Sequence, residues 1–117
     1  MNFLFQNPLI LIPVLSGFIC LLAGIIMAKF PPKKINSFYG YRTNSSMKNQ
    51  QRWDFAQKFS SIEMIKLSIL LMLSGVIGLI IKTDGLIGMI IGLALLIMMV
   101  IILFFRVESA IKNEFKD

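Results

Sequence analysis

The fold is decided by residues 64–105, "MIKLSILLMLSGVIGLIIKTDGLIGMIIGLALLIMMVIILFF", in which two long apolar runs are separated by KTDG, Lys82 to Gly85. Each run is close to the roughly 20 apolar residues that cross a bilayer core. Neither run alternates apolar and polar residues, as the strands of a membrane barrel do. The stretch therefore predicts two membrane-spanning helices, at about 62–81 and 86–105, joined as an antiparallel hairpin.

A third apolar run, Pro8 to Ala28, precedes this hairpin. Asn7 is placed to cap the run, Pro8 suits the first helical position, and the Pro31-Pro32 pair marks its end. Hydrophobic residues make up 56% of the 117 residues and charged residues only 15%, which is too apolar for a soluble domain of this size. We predict one integral membrane domain over residues 1–117, all-α, with three transmembrane helices at about 8–28, 62–81 and 86–105.

The basic residues indicate the orientation of these helices. Of the twelve basic residues, only Lys82 lies between the second and third spans. The others lie in or beside the long loop or in the tail: Lys29, Lys33, Lys34, Arg42, Lys48, Arg52, Lys58, Lys66, Arg106, Lys112 and Lys116. The positive-inside rule then predicts a cytoplasmic loop at 29–61, a cytoplasmic tail at 106–117 and an external N-terminus. The net charge of +6 is explained by this topology and by the lipid bilayer, and no nucleic-acid partner is expected.

Small residues predict how the helices pack. Glycines at matching depths on the two arms of the hairpin predict a close contact between them: Gly75 and Gly78 on one arm, Gly88 and Gly92 on the other. A second stripe at four-residue spacing lies in the first span and comprises Ser16, Cys20 and Gly24. These stripes favour a three-helix bundle, and they also allow a homo-oligomer.

The polar stretch "INSFYGYRTNSSMKNQQRWDFAQKF", residues 35–59, interrupts the apolar sequence once. Gly40 permits a turn, and Asn44, Ser45 or Ser46 can cap a helix that continues into the second span. Trp53, Ala56 and either Phe59 or Ser60 share one face of this helix. We therefore predict a loop followed by an amphipathic extension of the second span.

Two interpretations of this stretch remain open. In the first, Tyr39, Tyr41 and Trp53 belong to the aromatic belt at the membrane interface. In the second, the YGYRT segment folds back beneath the bundle, and Arg42 binds a carboxylate, a helix C-terminus or a lipid phosphate. The candidate carboxylates within the chain are Asp54 and Glu63.

Residues suited to catalysis or metal binding are scarce. The chain has no histidine and a single cysteine, Cys20, so an imidazole base, an intramolecular disulfide and a metal site built on thiolates are all excluded. It also lacks a phosphate-binding loop and a nucleophile with a base partner. We predict no catalytic residue, no cofactor and no metal.

The order of motifs resembles one family of bacterial membrane proteins. A helix ending in "FPPKKINSFYGYRT" is followed by "SMKNQQRWDFAQKFSS" and then by a glycine-containing hairpin, an arrangement similar to the SdpI/YfhL family. The resemblance spans essentially the whole chain, and its hallmarks are matched by Tyr39, Gly40, Arg42 and Thr43 and by Trp53 and Lys58. Larger members carry a further membrane region before this unit, and often a His-Arg pair where Gln57-Lys58 stands here.

The resemblance implies a function as well as a fold. The named member of the family is an immunity protein against a secreted membrane-active toxin. By resemblance we expect a non-enzymatic, multi-pass protein of the bacterial cell membrane that protects against such a toxin, with Tyr39 to Thr43 and Trp53 as its partner-binding motif and a cytoplasmic regulator as a further partner. The alternatives are a small membrane transporter or permeation component, and a structural or regulatory membrane subunit.

Overall fold

The computed structural model describes residues 6–116, which form four helices and, within that range, no strand: α1, Pro8–Lys29; α2, Gln50–Ser74; α3, Ile77–Ile80; and α4, Gly85–Phe115. Three helices are long and apolar enough to cross a membrane, namely α1, the continuous stretch Gln50–Ile80 that contains α2 and α3, and α4. The predicted all-helical class with three spans is confirmed.

The first helix begins and ends as the sequence predicts. Asn7 caps α1, its side-chain oxygen accepting a hydrogen bond from the Leu9 backbone nitrogen at 3.0 Å, and Pro8 occupies the first turn. Proline loses nothing there because its missing N–H would have no helical partner. The helix ends at Lys29, directly before Phe30 and the Pro31-Pro32 pair.

The second helix begins later than the predicted caps. Its cap is Asn49, whose side chain accepts from the Arg52 backbone nitrogen at 2.8 Å, and not Asn44, Ser45 or Ser46. The two serine hydroxyls have other hydrogen-bond partners, described below, and are therefore not available to cap a helix. The helix breaks after Ser74 at Gly75, and α3 continues the span for one turn.

The fourth helix extends well beyond its apolar part. It begins at the cap Asp84, which accepts from the Ile87 backbone nitrogen at 2.8 Å, and runs to Phe115. The predicted tail after Phe105 is therefore helical through Phe115. This continuation places polar residues of α4 beside the first half of α2 at one end of the bundle, which we call the polar end: residues 30–63 and 106–116.

The glycines lie at helix contacts, but their neighbour differs from the one expected. A side chain on Gly75 or Gly78 would meet α1, at Val14 and Ile10 respectively, rather than the opposite arm of the hairpin. Gly92 likewise faces α1, at Ile12 and Pro8, and Gly88 faces Leu9 and Thr83. The expected glycine-to-glycine contact is thus replaced by α1, which packs into the surface that the glycines of both arms leave open.

A substitution at the α1–α2 contact tests this packing. A side chain on Gly24 would begin 3.3 Å from both the Ser61 carbonyl oxygen and the Ile65 backbone nitrogen, atoms that cannot move without shifting a helix. We expect Gly24→Leu to lower the free energy of unfolding by about 1–3 kcal/mol. The neighbouring Ala23 is exposed, so Ala23→Leu is the control. Thermal unfolding in detergent micelles measures both, and equal midpoints would contradict the predicted contact.

Candidate functional site

The candidate site is the linker between α1 and α2, residues 30–49. This linker folds back onto both α2 and α4 at the polar end. Trp53 of α2 is fully buried, with 0% of its side chain exposed, and its indole nitrogen donates to the Pro32 carbonyl oxygen at 2.7 Å. Tyr39 donates from its hydroxyl to the Phe30 carbonyl oxygen at 2.7 Å. These two bonds fix the linker directly after the end of α1.

Gln57 holds the backbone of the YGYRT segment, residues 39–43. Its side-chain oxygen accepts from the Tyr41 backbone nitrogen at 2.6 Å, and its side-chain nitrogen donates to the Tyr41 carbonyl oxygen at 2.8 Å. Gln57 is buried, so its side-chain amide would be costly to leave without these two hydrogen bonds. The preceding residue, Gly40, has φ = 114°, a backbone conformation that side chains with a Cβ rarely adopt.

Glu108 of α4 anchors the same segment from the other side. Its Oε2 atom accepts from the Tyr41 hydroxyl at 2.6 Å and from the Thr43 hydroxyl at 2.9 Å, and its Oε1 atom accepts from the Ser45 hydroxyl at 2.7 Å. Residues 44–47 form a turn, in which the Met47 backbone nitrogen donates to the Thr43 carbonyl oxygen at 3.0 Å. The hydroxyls before and within this turn converge on one carboxylate.

The protonation states suit this arrangement. Burial raises the pKa of Tyr41 well above its usual range, and the hydrogen bond to Glu108 raises it further. Burial alone would raise the pKa of Glu108, but the hydrogen bonds from Ser45, Tyr41 and Thr43 outweigh it and lower that pKa below its usual value. At neutral pH the phenol thus stays a donor and the carboxylate stays an ionised acceptor.

Ser46 closes the turn within the segment. Its buried hydroxyl accepts from the Thr43 backbone nitrogen at 2.9 Å and lies 3.1 Å from the carbonyl oxygens of both Tyr41 and Thr43. The stretch from Tyr41 to Ser46 is therefore held by hydrogen bonds from three side chains: Gln57, Glu108 and Ser46.

Arg42 lies at the surface of the YGYRT segment. Its side chain is exposed, and its guanidinium donates to the Ser37 carbonyl oxygen. The two carboxylates considered as its partners are occupied elsewhere. Glu63 is buried and pairs with Arg106 and with Lys66, the latter at 3.6 Å, whereas Asp54 accepts from Gln50 at 2.8 Å.

The structure thus brings most of the sequence motif together, and it adds residues that the sequence analysis missed. Tyr39, Gly40, Tyr41, Thr43 and Trp53 all lie at the polar end, with Arg42 at its surface. The missed residues are Ser45, Ser46, Gln57 and Glu108. The sequence offers one weak signal for them: hydroxyls recur at alternate positions Tyr41, Thr43 and Ser45.

The burial of Trp53 makes a measurable prediction, because it is the only tryptophan in the chain. An aromatic-belt residue contacts lipid and the interface, whereas the buried indole here contacts protein. We expect blue-shifted emission and only weak quenching by both aqueous acrylamide and brominated lipids. Strong quenching by brominated lipids would contradict the buried placement and restore the belt interpretation.

The hydroxyls of Tyr41, Thr43 and Ser45 donate to one ionised carboxylate, an arrangement that fixes the shape of the segment. Among residues 6–116, no group of three or more Asp, Glu or Cys side chains is placed to hold a metal ion.

Comparisons with known proteins agree with the motif. The model of the SdpI/YfhL protein family matches residues 33–105. A relative from Bacillus subtilis (strain 168), named "Uncharacterized protein YfhL", is 46% identical over 52 residues, which are 44% of this chain and 47% of the relative. The match therefore spans about half the length of that relative, and no solved structure matches the chain. Because the family match covers more than half of its residues, from the linker through the third span, this chain belongs to the SdpI/YfhL family.

Proposed function

We propose that this multi-pass membrane protein is a non-enzymatic immunity protein of the bacterial cell membrane, protecting the cell against a membrane-active peptide or protein toxin. The observation that carries the proposal is the ordered YGYRT segment, held by Gln57 and Glu108 with Arg42 exposed at its surface. A segment held in this way presents the guanidinium group of Arg42 in a fixed position. Fixed presentation lowers the entropy lost when a partner binds.

In this proposal the polar end lies in the cytoplasm and the N-terminus lies outside, since the basic residues concentrate at the polar end. The toxin is then met within the bilayer, or its presence is passed to a cytoplasmic regulator at the polar end. Arg42 is the residue proposed to contact the partner. Its planar guanidinium has five N–H donors, which suit a carboxylate or phosphate of that partner.

Trp53 has a different role in this proposal. Its indole is buried and bonded to Pro32, so it positions the linker and does not contact the partner. Gly40 and Tyr41 act in the same way, by shaping the segment. Loss of Trp53 should therefore reduce both the folded amount and the protection, whereas loss of Arg42 should reduce protection alone.

The test is to express the protein in a toxin-sensitive bacterium and to follow the membrane potential after adding secreted membrane-active toxins. We expect the wild type to preserve the potential and Arg42→Ala, at matched abundance, to lose most of that protection. Lys48→Ala is the control, because Lys48 is an exposed basic residue of the same linker outside the motif. Protection by Arg42→Ala equal to that of the wild type would reject the assigned contact, and a wild type no better than empty cells would reject immunity to those toxins.

A further inference from the structure

A groove of about 590 Å³ lies between the end of α1, the linker and the first half of α2. Its lining residues are Met27, Ala28, Pro31, Pro32, Lys33, Gln50, Asp54, Gln57, Lys58, Ser61 and Ile62. Arg42 does not line the groove, which shares Pro32 and Gln57 with the candidate site. The lining of the groove combines charged, polar and apolar side chains.

The lining changes from polar to apolar along the helix. Gln50, Asp54, Lys58 and Ile62 follow one another at four-residue spacing on α2, so they form one line down its face. Twelve residues of α helix cover roughly 18 Å. The groove therefore runs from the polar end to the start of the apolar span, where Met27 and Ala28 of α1 complete an apolar wall.

The charges in the groove favour an anion. The two cations in the lining are Lys33 and Lys58, and within residues 6–116 neither ammonium group forms an ion pair. The one acidic group is Asp54, whose Oδ1 atom accepts from the Gln50 side chain at 2.8 Å. The same Gln50 nitrogen donates to the Lys33 carbonyl oxygen at 2.6 Å, which ties the linker to α2 and keeps Lys33 beside the groove.

We propose that this groove binds one acidic phospholipid, with the phosphate between Lys33 and Lys58 and the upper acyl carbons against Met27, Ala28 and Ile62. A free phosphate would use only the cations, whereas a lipid also covers the apolar wall, which adds hydrophobic free energy in proportion to its area. Asp54 weakens the site by repelling the phosphate, so its charge limits the affinity. The proposal does not rest on immunity to a toxin.

The test is native mass spectrometry of the full-length protein in mild detergent, titrated with dioleoylphosphatidylglycerol or dioleoylphosphatidylcholine. We expect one tightly bound phosphatidylglycerol, and roughly tenfold weaker binding after the double substitution Lys33→Gln, Lys58→Gln, since each lysine near an acidic headgroup contributes about a fivefold factor before screening. Asp54→Asn should bind phosphatidylglycerol several-fold more tightly.

The matched control is Lys34→Gln, Lys48→Gln, which removes the same charge from exposed lysines of the linker that do not line the groove. Wild-type binding by this control supports the proposal, and an equal loss in both double variants would replace the groove with a general surface-charge effect. Equal affinity for phosphatidylcholine would overturn the acidic headgroup. Displacement of the bound lipid by inorganic phosphate at a similar concentration would overturn the contribution of the apolar wall. Trp53 emission confirms that each variant is folded.

Discussion

Replacing Glu108 with alanine is expected to release the YGYRT segment from α4 while the three spans stay folded. The substitution leaves the hydroxyls of Tyr41, Thr43 and Ser45 without their common acceptor. Hydrogen bonds to a charged group are stronger than neutral ones, and water replaces part of what is lost at this half-exposed position. We expect the free energy of opening of the segment to fall by about 2–3 kcal/mol.

Amide hydrogen exchange over residues 39–46 measures this change directly, because it reports local opening separately from global unfolding. Glu108→Gln keeps one acceptor and should give an intermediate loss of protection. Glu114→Ala is the control, since Glu114 is an exposed acidic residue on the same end of α4. Exchange in Glu108→Ala as slow as in Glu114→Ala would contradict the anchoring role. Under the proposed function, the Glu108→Ala protein should also fail to preserve the membrane potential.

Gly40→Ala is the second substitution with a large expected effect. The φ of 114° is costly for alanine, and the added Cβ would lie 2.6 Å from the Gln57 side-chain oxygen and 2.7 Å from the Pro32 side chain. Relieving these contacts would break the paired hydrogen bonds between Gln57 and Tyr41. We expect the free energy of unfolding to fall by about 2–4 kcal/mol.

Gly85→Ala provides a glycine control in the same chain. Gly85 begins α4, and a Cβ built there meets no atom within 4 Å, so alanine should leave stability unchanged or raise it slightly. Thermal unfolding of both variants in the same detergent makes the comparison. If Gly40→Ala unfolded at the same temperature as Gly85→Ala, the left-handed turn at Gly40 would be the wrong conformation.

The spans and the cap of α1 were predictable because they depend on neighbouring residues alone. An apolar run of sufficient length must become a helix in lipid, since each backbone polar group needs a partner there. Asn7 and Pro8 likewise act within one turn. The cap of α2 was not predictable in the same way, because Ser45 and Ser46 are good caps locally and are diverted by Glu108 and by the backbone of Tyr41 and Thr43.

The partners of the glycines and of Arg42 depend on which helices are neighbours, and spacing along the chain does not determine this. Gly75 and Gly92 were correctly expected at helix contacts. The sequence did not indicate that α1 is the helix packed against both glycines. Glu63 was considered for Arg42, but it pairs with Arg106 of α4. The sequence therefore predicted which residues of the short linker motif belong to the site. It did not predict the side chains that hold the motif, Gln57 and Glu108.

The anchoring of the linker by Glu108 has a consequence for how the protein is made. Tyr41, Thr43 and Ser45 are 67, 65 and 63 residues before their acceptor in the chain. Synthesis proceeds from the N-terminus, so these hydroxyls leave the ribosome while the third span and Glu108 are still to be translated. The linker therefore reaches the conformation described above only after α4 has been made, and its ordering depends on the docking of α4 beside α2.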